Sequence, residues 1–247
     1  MLGTIVPNRI VKEYHLTLKN QRMIDYDLIN SKLKEGLKLK FDIGLSFNMP
    51  NASKWLTDDE QTYVIGIEPH PNNFKSCCSH VENHHAGNRC YLIEAAISNV
   101  ASSEDRDFYG LSGDPGTSSL CKPIGRFENL VDRVYTVETI SLKEILDNLK
   151  YERIDVLKTD TQGNDLNVMR SLGELIKNVD FIYAEYDESD DYEGANTGEE
   201  LDKYLEESGF ECYDRIYVAE RNGKLVDCEY RNVNSTTDKS GPRWNSN

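Results

Sequence analysis

Residues 154–172, IDVLKTDTQGNDLNVMRSL, decide the fold class. Ile154–Thr159 (IDVLKT) reads as a buried strand that ends at Asp160. Gly163 then opens a helical pattern, Asn164–Leu172. Working outward, Tyr135–Thr139 is a strand, and Ser141 with Glu144 has capping-box spacing for a helix to about Leu149. Downstream, Phe181–Glu185 (FIYAE) is the next strand. Thr197 and Glu200 make a second capping box for a helix Glu199–Ser208, closed by Gly209. Phe210–Ala219 and Lys224–Tyr230 finish the sheet. Toward the start, Leu37–Ile43 (LKLKFDI), Tyr63–Glu68 (YVIGIE) and Cys90–Glu94 (CYLIE) are strands. Helices that begin at Pro50 and Pro71 separate them. Strands that alternate with helices predict an α/β fold with a mostly parallel sheet and helices on both faces.

The 247 residues suit one domain with embellishments. The expected division is a helical N-terminal extension, 1–36, a catalytic domain, 37–231, and a flexible tail, 232–247. Ile24, Leu28 and Leu33 form one stripe of the extension. Residues 98–135, rich in Gly, Ser and Pro, predict a strand near Asp107–Leu111 followed by a long loop. Acidic residues outnumber basic ones 43 to 28, for a net charge of −15. That surface disfavours a nucleic-acid partner, because such binding rests on Lys and Arg. No apolar run is long enough for a membrane span, and the first residues lack a signal-peptide pattern. The expected compartment is cytoplasmic, with six reduced cysteines. The sequence carries no signal for an oligomeric state.

In parallel sheets a ligand lies beyond the carboxyl ends of the strands. Asp42, Gly44 and Ser46 follow the first strand, and Gly44 lets backbone approach a ligand closely. Glu68 ends the second strand, where a carboxylate can accept from both hydroxyls of a ribose. Glu94, Ala95 and Ala96 follow the third, Asp160 the fourth and Glu185 the fifth. Each alone is also read as a turn, a cap or a solvated residue, but their order along the chain is not required by turns.

FDIGLSFN, VIGIEPHP, AISN, TISLKEIL, VLKTDTQGNDLNVMRSLG and IYAEY together resemble the FkbM-type methyltransferases, over about Leu37 to Tyr186. The resemblance implies a class I methyltransferase (Rossmann-like) fold and S-adenosyl-L-methionine as cofactor. It implies O-methylation of a hydroxyl on a sugar, glycan or related small molecule. By resemblance, Asp42, Gly44 and Ser46 match the first cofactor loop, Glu68 the ribose-binding acid, Ala95 and Ala96 the adenine flanks, Ser118 and Ser119 a serine-bearing loop, and Lys158 and Asp160 a Lys-x-Asp element. Two positions depart from the family pattern. Asn48 stands where many relatives carry a second glycine, and Gln162 where Glu is common.

Lys158 and Asp160, two apart on a strand, share a face. Asp160 is the first candidate for a catalytic base or acceptor-positioning group, Lys158 for tuning it or holding a substrate oxygen, and Glu185 is the second candidate. The other reading of Asp160 is a cofactor contact or a helix cap. A divalent metal on Asp160, Glu185 and Asp187 ranks below a metal-free site. Cys77, Cys78, His80, His84, His85 and Cys90 are zinc-type ligands, but their spacing matches no standard site. Two other functions are carried. One is a catalytically silent binding module, which Asn48 keeps open. The other is a nicotinamide-dependent oxidoreductase, disfavoured because G-x-G-x-x-G is absent after the first strand.

Overall fold

The computed structural model describes residues 24–33, 36–113, 115–151, 153–188, 190–217 and 225–235. A short helix α1, Tyr26–Lys32, precedes strand β1, Lys38–Ile43. Helix α2 (Pro50–Asp58), β2 (Thr62–Ile67), α3 (Pro71–Asn83) and β3 (Cys90–Ile93) complete the first half. A middle region holds β4 (Ala96–Ile97), β5 (Glu104–Leu111), β6 (Lys122–Pro123) and β7 (Val131–Ile140). The second half contains α4 (Leu142–Asn148), β8 (Ile154–Thr159), α5 (Asp165–Arg170), β9 (Val179–Asp187), β10 (Tyr192–Glu193), α6 (Gly198–Glu207), β11 (Phe210–Tyr217) and β12 (Leu225–Asn232).

Seven strands form the main sheet in the order β11-β12-β9-β8-β1-β2-β3. The pairs β3–β2–β1–β8–β9 are parallel, and β12 runs antiparallel to both β9 and β11. The order reverses at β1, between β2 and β8, so the crevice there is the topological switch point. This is the class I methyltransferase arrangement that the resemblance implies.

Side chains alternate across the sheet. Leu39, Phe41, Ile43, Ile65 and Ile67 face one core with Ile145, Met169 and Leu201. Val64, Leu92, Val156 and Phe181 face the other, with Trp55 and Leu56 of α2 and Cys77 of α3. Burial on both faces explains why apolar residues occupy both alternations of these strands. Ile24, Leu28 and Leu33 pack against the first core, which ties α1 to the sheet. Residues 1–23 of the predicted extension lie outside the described residues.

Helix signals are realised closely. Helix α3 starts at Pro71, as the sequence marks it, and runs to Asn83. Ser141 Oγ accepts from Glu144 N at 3.1 Å, and Thr197 with Glu200 makes the full reciprocal box. Gly209, at φ +90, closes α6. The helix after β8 is shorter than its pattern: α5 ends at Arg170, two residues before Leu172, and a 3-10 segment, Gly173–Asn178, follows.

Residues 98–135 differ from the long-loop reading. β5 begins at Glu104, β7 at Val131, and they pair antiparallel beside β4 in a separate three-stranded sheet. β5 contains the strand expected near Asp107–Leu111; its first four residues, Glu-Asp-Arg-Asp, are exposed, so the apolar signal marks only its second half. At the other end of the chain, β12 continues through Asn232, whose amide donates to the carbonyls of Lys177 and Val179. Residues 236–247 of the predicted tail lie outside the described residues.

Candidate active site

A cleft of about 520 Å³, open to solvent, lies beyond the carboxyl ends of β1, β2, β3 and β8. Its lining includes Gly44, Ser46, Glu68, Ala95, Ala96, Ser118 and Asp160, all singled out from sequence. Asp42, Lys158 and Glu185 are not part of that lining.

Asp42 and Lys158 lie beneath it. The two are register partners on adjacent parallel strands, so their side chains share a face of the sheet. Lys158 Nζ is 3.2 Å from Asp42 Oδ1, 3.7 Å from Asp160 Oδ2, and donates to the Gly44 carbonyl at 2.6 Å. The other Asp42 oxygen accepts from Ala52 N in the first turn of α2. Both side chains are almost fully buried, at 4% and 1% exposure. Burial works against the charge on Lys158, but Asp42 and then Asp160 outweigh it and hold the ammonium above the ordinary lysine range.

The loop after β1 is tight. Gly44 has φ +79, and a Cβ there would sit 2.0 Å from the Asp160 carbonyl oxygen. Only glycine permits this approach. Asn48 is not where the backbone turns left-handed. That conformation falls on Ser46 (φ 56) and Met49 (φ 41), so the absent second glycine is absorbed by its neighbours. Ser46 N donates to Glu68 Oε2 at 2.9 Å, and Cys77 Sγ donates to the Ser46 carbonyl at 3.0 Å.

Glu68 is buried, and its second oxygen accepts from His70 N at 2.9 Å. Burial, offset in part by these hydrogen bonds, pushes its carboxyl up to about 7. The unfolded chain releases this proton near 4.5. The folded protein therefore retains it between those values, and the Glu68 contribution to stability falls as pH rises through that window.

At the β8 end, Gln162 Nε2 donates to Asp160 Oδ1 and to Glu185 Oε1, each at 2.8 Å. Burial, then Asp160 and Asp227, push the Glu185 carboxyl well above the usual range. Asp160 does not cap the following helix; Asn164 stands at that N-cap, and its side chain instead donates to the Ile97 carbonyl at 2.7 Å. Ser118 Oγ accepts from Leu111 N, and Ser119 Oγ donates to the Gln162 carbonyl at 2.7 Å, which binds the middle region to the β8 loop.

Asn73, Phe108, Leu120, Thr161 and Asn164 also line the cleft and were not singled out from sequence. Asn73 carried a weak signal, being one helical turn past Glu68-Pro69-His70. Phe108 and Leu120 carried none, because only the second sheet brings them here. The zinc-type residues do not converge. Cys90 is core, and His84 stacks on His85 with its Nε2 toward Thr57. Among the described residues no three His, Cys, Asp or Glu side chains gather as a metal site. The Asp187 side chain lies outside the described residues.

The lining suits S-adenosylmethionine. Apolar surface from Ala95, Ala96, Ile97 and Phe108 can flank a flat ring, and Glu68 can accept from a diol. Among the described residues no Lys or Arg lines the cleft, and Asp42 already takes an N–H of α2, where a dinucleotide would place its pyrophosphate. A family model described as the methyltransferase FkbM domain matches residues 42–212.

The chain belongs to the FkbM methyltransferase family. It is an S-adenosylmethionine-dependent methyltransferase, as the resemblance implies. Similar solved structures include Aeropyrum pernix fibrillarin with bound S-adenosyl-L-methionine, at 12% identity over 89% of this chain and 74% of that one, TM-score 0.47. Others are the N-terminal domain of human METTL16 with SAH (12%, 93% and 72%, 0.46) and M. capricolum TrmK with S-adenosyl-homocysteine (10%, 88% and 73%, 0.45). No match is found among curated proteins. No helix among the described residues of this methyltransferase is long and apolar enough to cross a membrane.

Proposed function

We propose that this FkbM methyltransferase O-methylates a hydroxyl of a sugar, glycan or related small molecule. The placement of Asp160 carries the reading. Glu68 and Asp160 are the two ionisable side chains in the cleft lining, and the Asp160 carboxylate is 34% exposed there. When bound, S-adenosylmethionine supplies an electrophilic methyl group on a sulfonium. Asp160 accepts a hydrogen bond from the acceptor hydroxyl and takes its proton as the oxygen attacks. The Gly44 loop and Glu68 fix the cofactor, so that acceptor and methyl meet as a near-attack pair. Lys158 works from below, on the Gly44 carbonyl and Asp42, as a positioning residue. Glu185 is held behind Asp160 through Gln162 and is the reserve base.

A second cavity, about 820 Å³ and lined in part by Ile124, Gly163, Tyr192 and Asn196, is the space we assign to an acceptor. A net charge of −15 and a lining without Lys or Arg disfavour a polyanionic acceptor. All six cysteines are free, which suits the reducing cytoplasm. We read residues 37–231 as the catalytic domain, with α1 packed on it.

Asp160→Asn is expected to lower turnover by about 100-fold or more. Its affinity for S-adenosylmethionine should stay within about threefold, since the isosteric amide keeps the lining intact. The assay follows labelled methyl transfer to a panel of methyl glycosides in EDTA-treated buffer. Full turnover by this variant would remove Asp160 as base. Glu68 predicts a pH dependence of cofactor affinity. Its carboxylate must be ionised to accept strongly, so affinity at pH 6 should be about tenfold weaker than at pH 8. Glu68→Gln should bind weakly and flatten the dependence. A flat profile in the unmutated protein would contradict this role.

A further inference from the structure

We infer that Gln162 is a positioning residue whose single carboxamide clamps Asp160 and Glu185 into one frame at the reacting end of the cleft. This deepens the proposed function and rests on the reading of Asp160 as the group that engages the acceptor.

Three observations converge. First, one nitrogen serves both carboxylates, with Asp160 Oδ1 and Glu185 Oε1 each 2.8 Å from Nε2. An amide nitrogen has two hydrogens, so the arrangement uses both donors. Second, the Gln162 backbone is left-handed, at φ 53, which a side chain of this type rarely adopts. Third, that backbone is pinned: Ser119 Oγ donates to its carbonyl at 2.7 Å, and the next residue, Gly163 at φ +94, packs so closely on Ala195 that a Cβ would lie 2.6 Å from the alanine methyl. The strained residue is therefore held by the middle region on one side and the β10 loop on the other.

The chemistry of the clamp follows from the charges. Asp160, Glu185 and Asp227, the register partner of Glu185, bring three carboxyl groups to the ends of β8, β9 and β12. Lys158, the cation beneath them, is already engaged by Asp42 and the Gly44 carbonyl. A carboxylate beside an open cleft would rotate away from such neighbours. The neutral donor between Asp160 and Glu185 holds both without adding charge. It fixes Asp160 Oδ1 and leaves Oδ2, 3.7 Å from Lys158 Nζ, as the lone-pair source for an acceptor hydroxyl. An isosteric carboxylate at this position has no hydrogen to donate unless it is protonated.

The test compares Gln162→Gly with Gln162→Glu. Glycine relieves the left-handed backbone, which offsets part of the cost of the two lost hydrogen bonds, so this variant should still fold and bind S-adenosylmethionine. Its turnover on the methyl glycosides should nevertheless fall about 10- to 100-fold. Gln162→Glu keeps the shape and loses both donors, so it should be equally impaired at pH 8. A space-filling Gln162 would instead leave Gln162→Glu active at pH 8. Full activity in either variant at pH 8 overturns the inference. Independently of any acceptor, nitrogen-15 NMR of glutamine-labelled protein should show one carboxamide pair shifted downfield and slow to exchange. That pair should vanish in Gln162→Gly, and one proton of it should move in Asp160→Ala and the other in Glu185→Ala. Rapidly exchanging, unshifted protons for Gln162 in the folded protein also overturn it. If Asp160→Asn keeps full turnover while the clamp signature is present, the base assignment fails and the clamp stands as structure alone.

Discussion

Lys158→Met should destabilise the protein by about 3–5 kcal/mol, because removing one partner of a buried ion pair leaves the other charge uncompensated. Asp42, at 1% exposure, would keep only its hydrogen bond from Ala52 N. The carbonyl of Gly44 would lose its donor at the same time. For a domain of this size, each kcal/mol moves the melting temperature by about 2–4 °C, so a drop on the order of 10 °C is expected. Asp42→Asn combined with Lys158→Met should be markedly less destabilised than Lys158→Met alone, since the orphaned charge is gone. Thermal unfolding of the parent, both single variants and the pair completes the cycle. A Lys158→Met protein within about 1 kcal/mol of the parent would show that the pair is not the buried anchor that the distances describe.

The second large effect is on cofactor binding. Gly44→Ala must place a methyl group 2.0 Å from the Asp160 carbonyl oxygen, a backbone atom fixed by Asp160 N bonding to the Ile43 carbonyl. Relief requires the β1 and β8 ends to separate. That displaces Ser46, Glu68 and Asp160 relative to one another, and misplacement by about 1 Å costs on the order of 100-fold in function. Affinity for S-adenosylmethionine should fall by at least that factor. Gly36→Ala is the matched control. It too has positive φ, +85, but no atom lies within 4 Å of its added Cβ. It should cost about 1–2 kcal/mol from backbone conformation alone and leave cofactor affinity unchanged. Equal effects at both glycines would mean that strain, not the contact with Asp160, governs the loop.

Much of this architecture was legible in the chain because local signals agree with the fold. Ile154, Val156 and Leu157 are buried since β8 is covered on both faces, and Pro71, Ser141 and Thr197 mark helix starts that the backbone uses. The order of strand-end residues also carried over: Gly44, Glu68, Ala95 and Asp160 meet in one cleft because parallel strands bring their carboxyl ends to one side. What sequence did not reveal depends on contacts between distant segments. The strand expected near Asp107–Leu111 is the second half of β5, but its pairing with β7, some 20 residues on, was not legible, and through that sheet Phe108 and Leu120 reach the cleft. Asp42 and Lys158 look like site residues by position. They point below the cleft because register pairs them with each other. Gln162 was visible only as a departure from a family pattern, and its bridge to Glu185 spans 23 positions.

The most direct measurement is calorimetric titration of the purified protein with S-adenosylmethionine and S-adenosylhomocysteine, beside NADH and Gly44→Ala. The structure predicts saturable, roughly micromolar binding of both sulfur compounds, about −8 kcal/mol at 25 °C, no binding of NADH, and loss of binding in Gly44→Ala. Absence of binding by either sulfur compound to the folded parent protein, or undiminished binding to Gly44→Ala, would contradict the placement of the cofactor in this cleft.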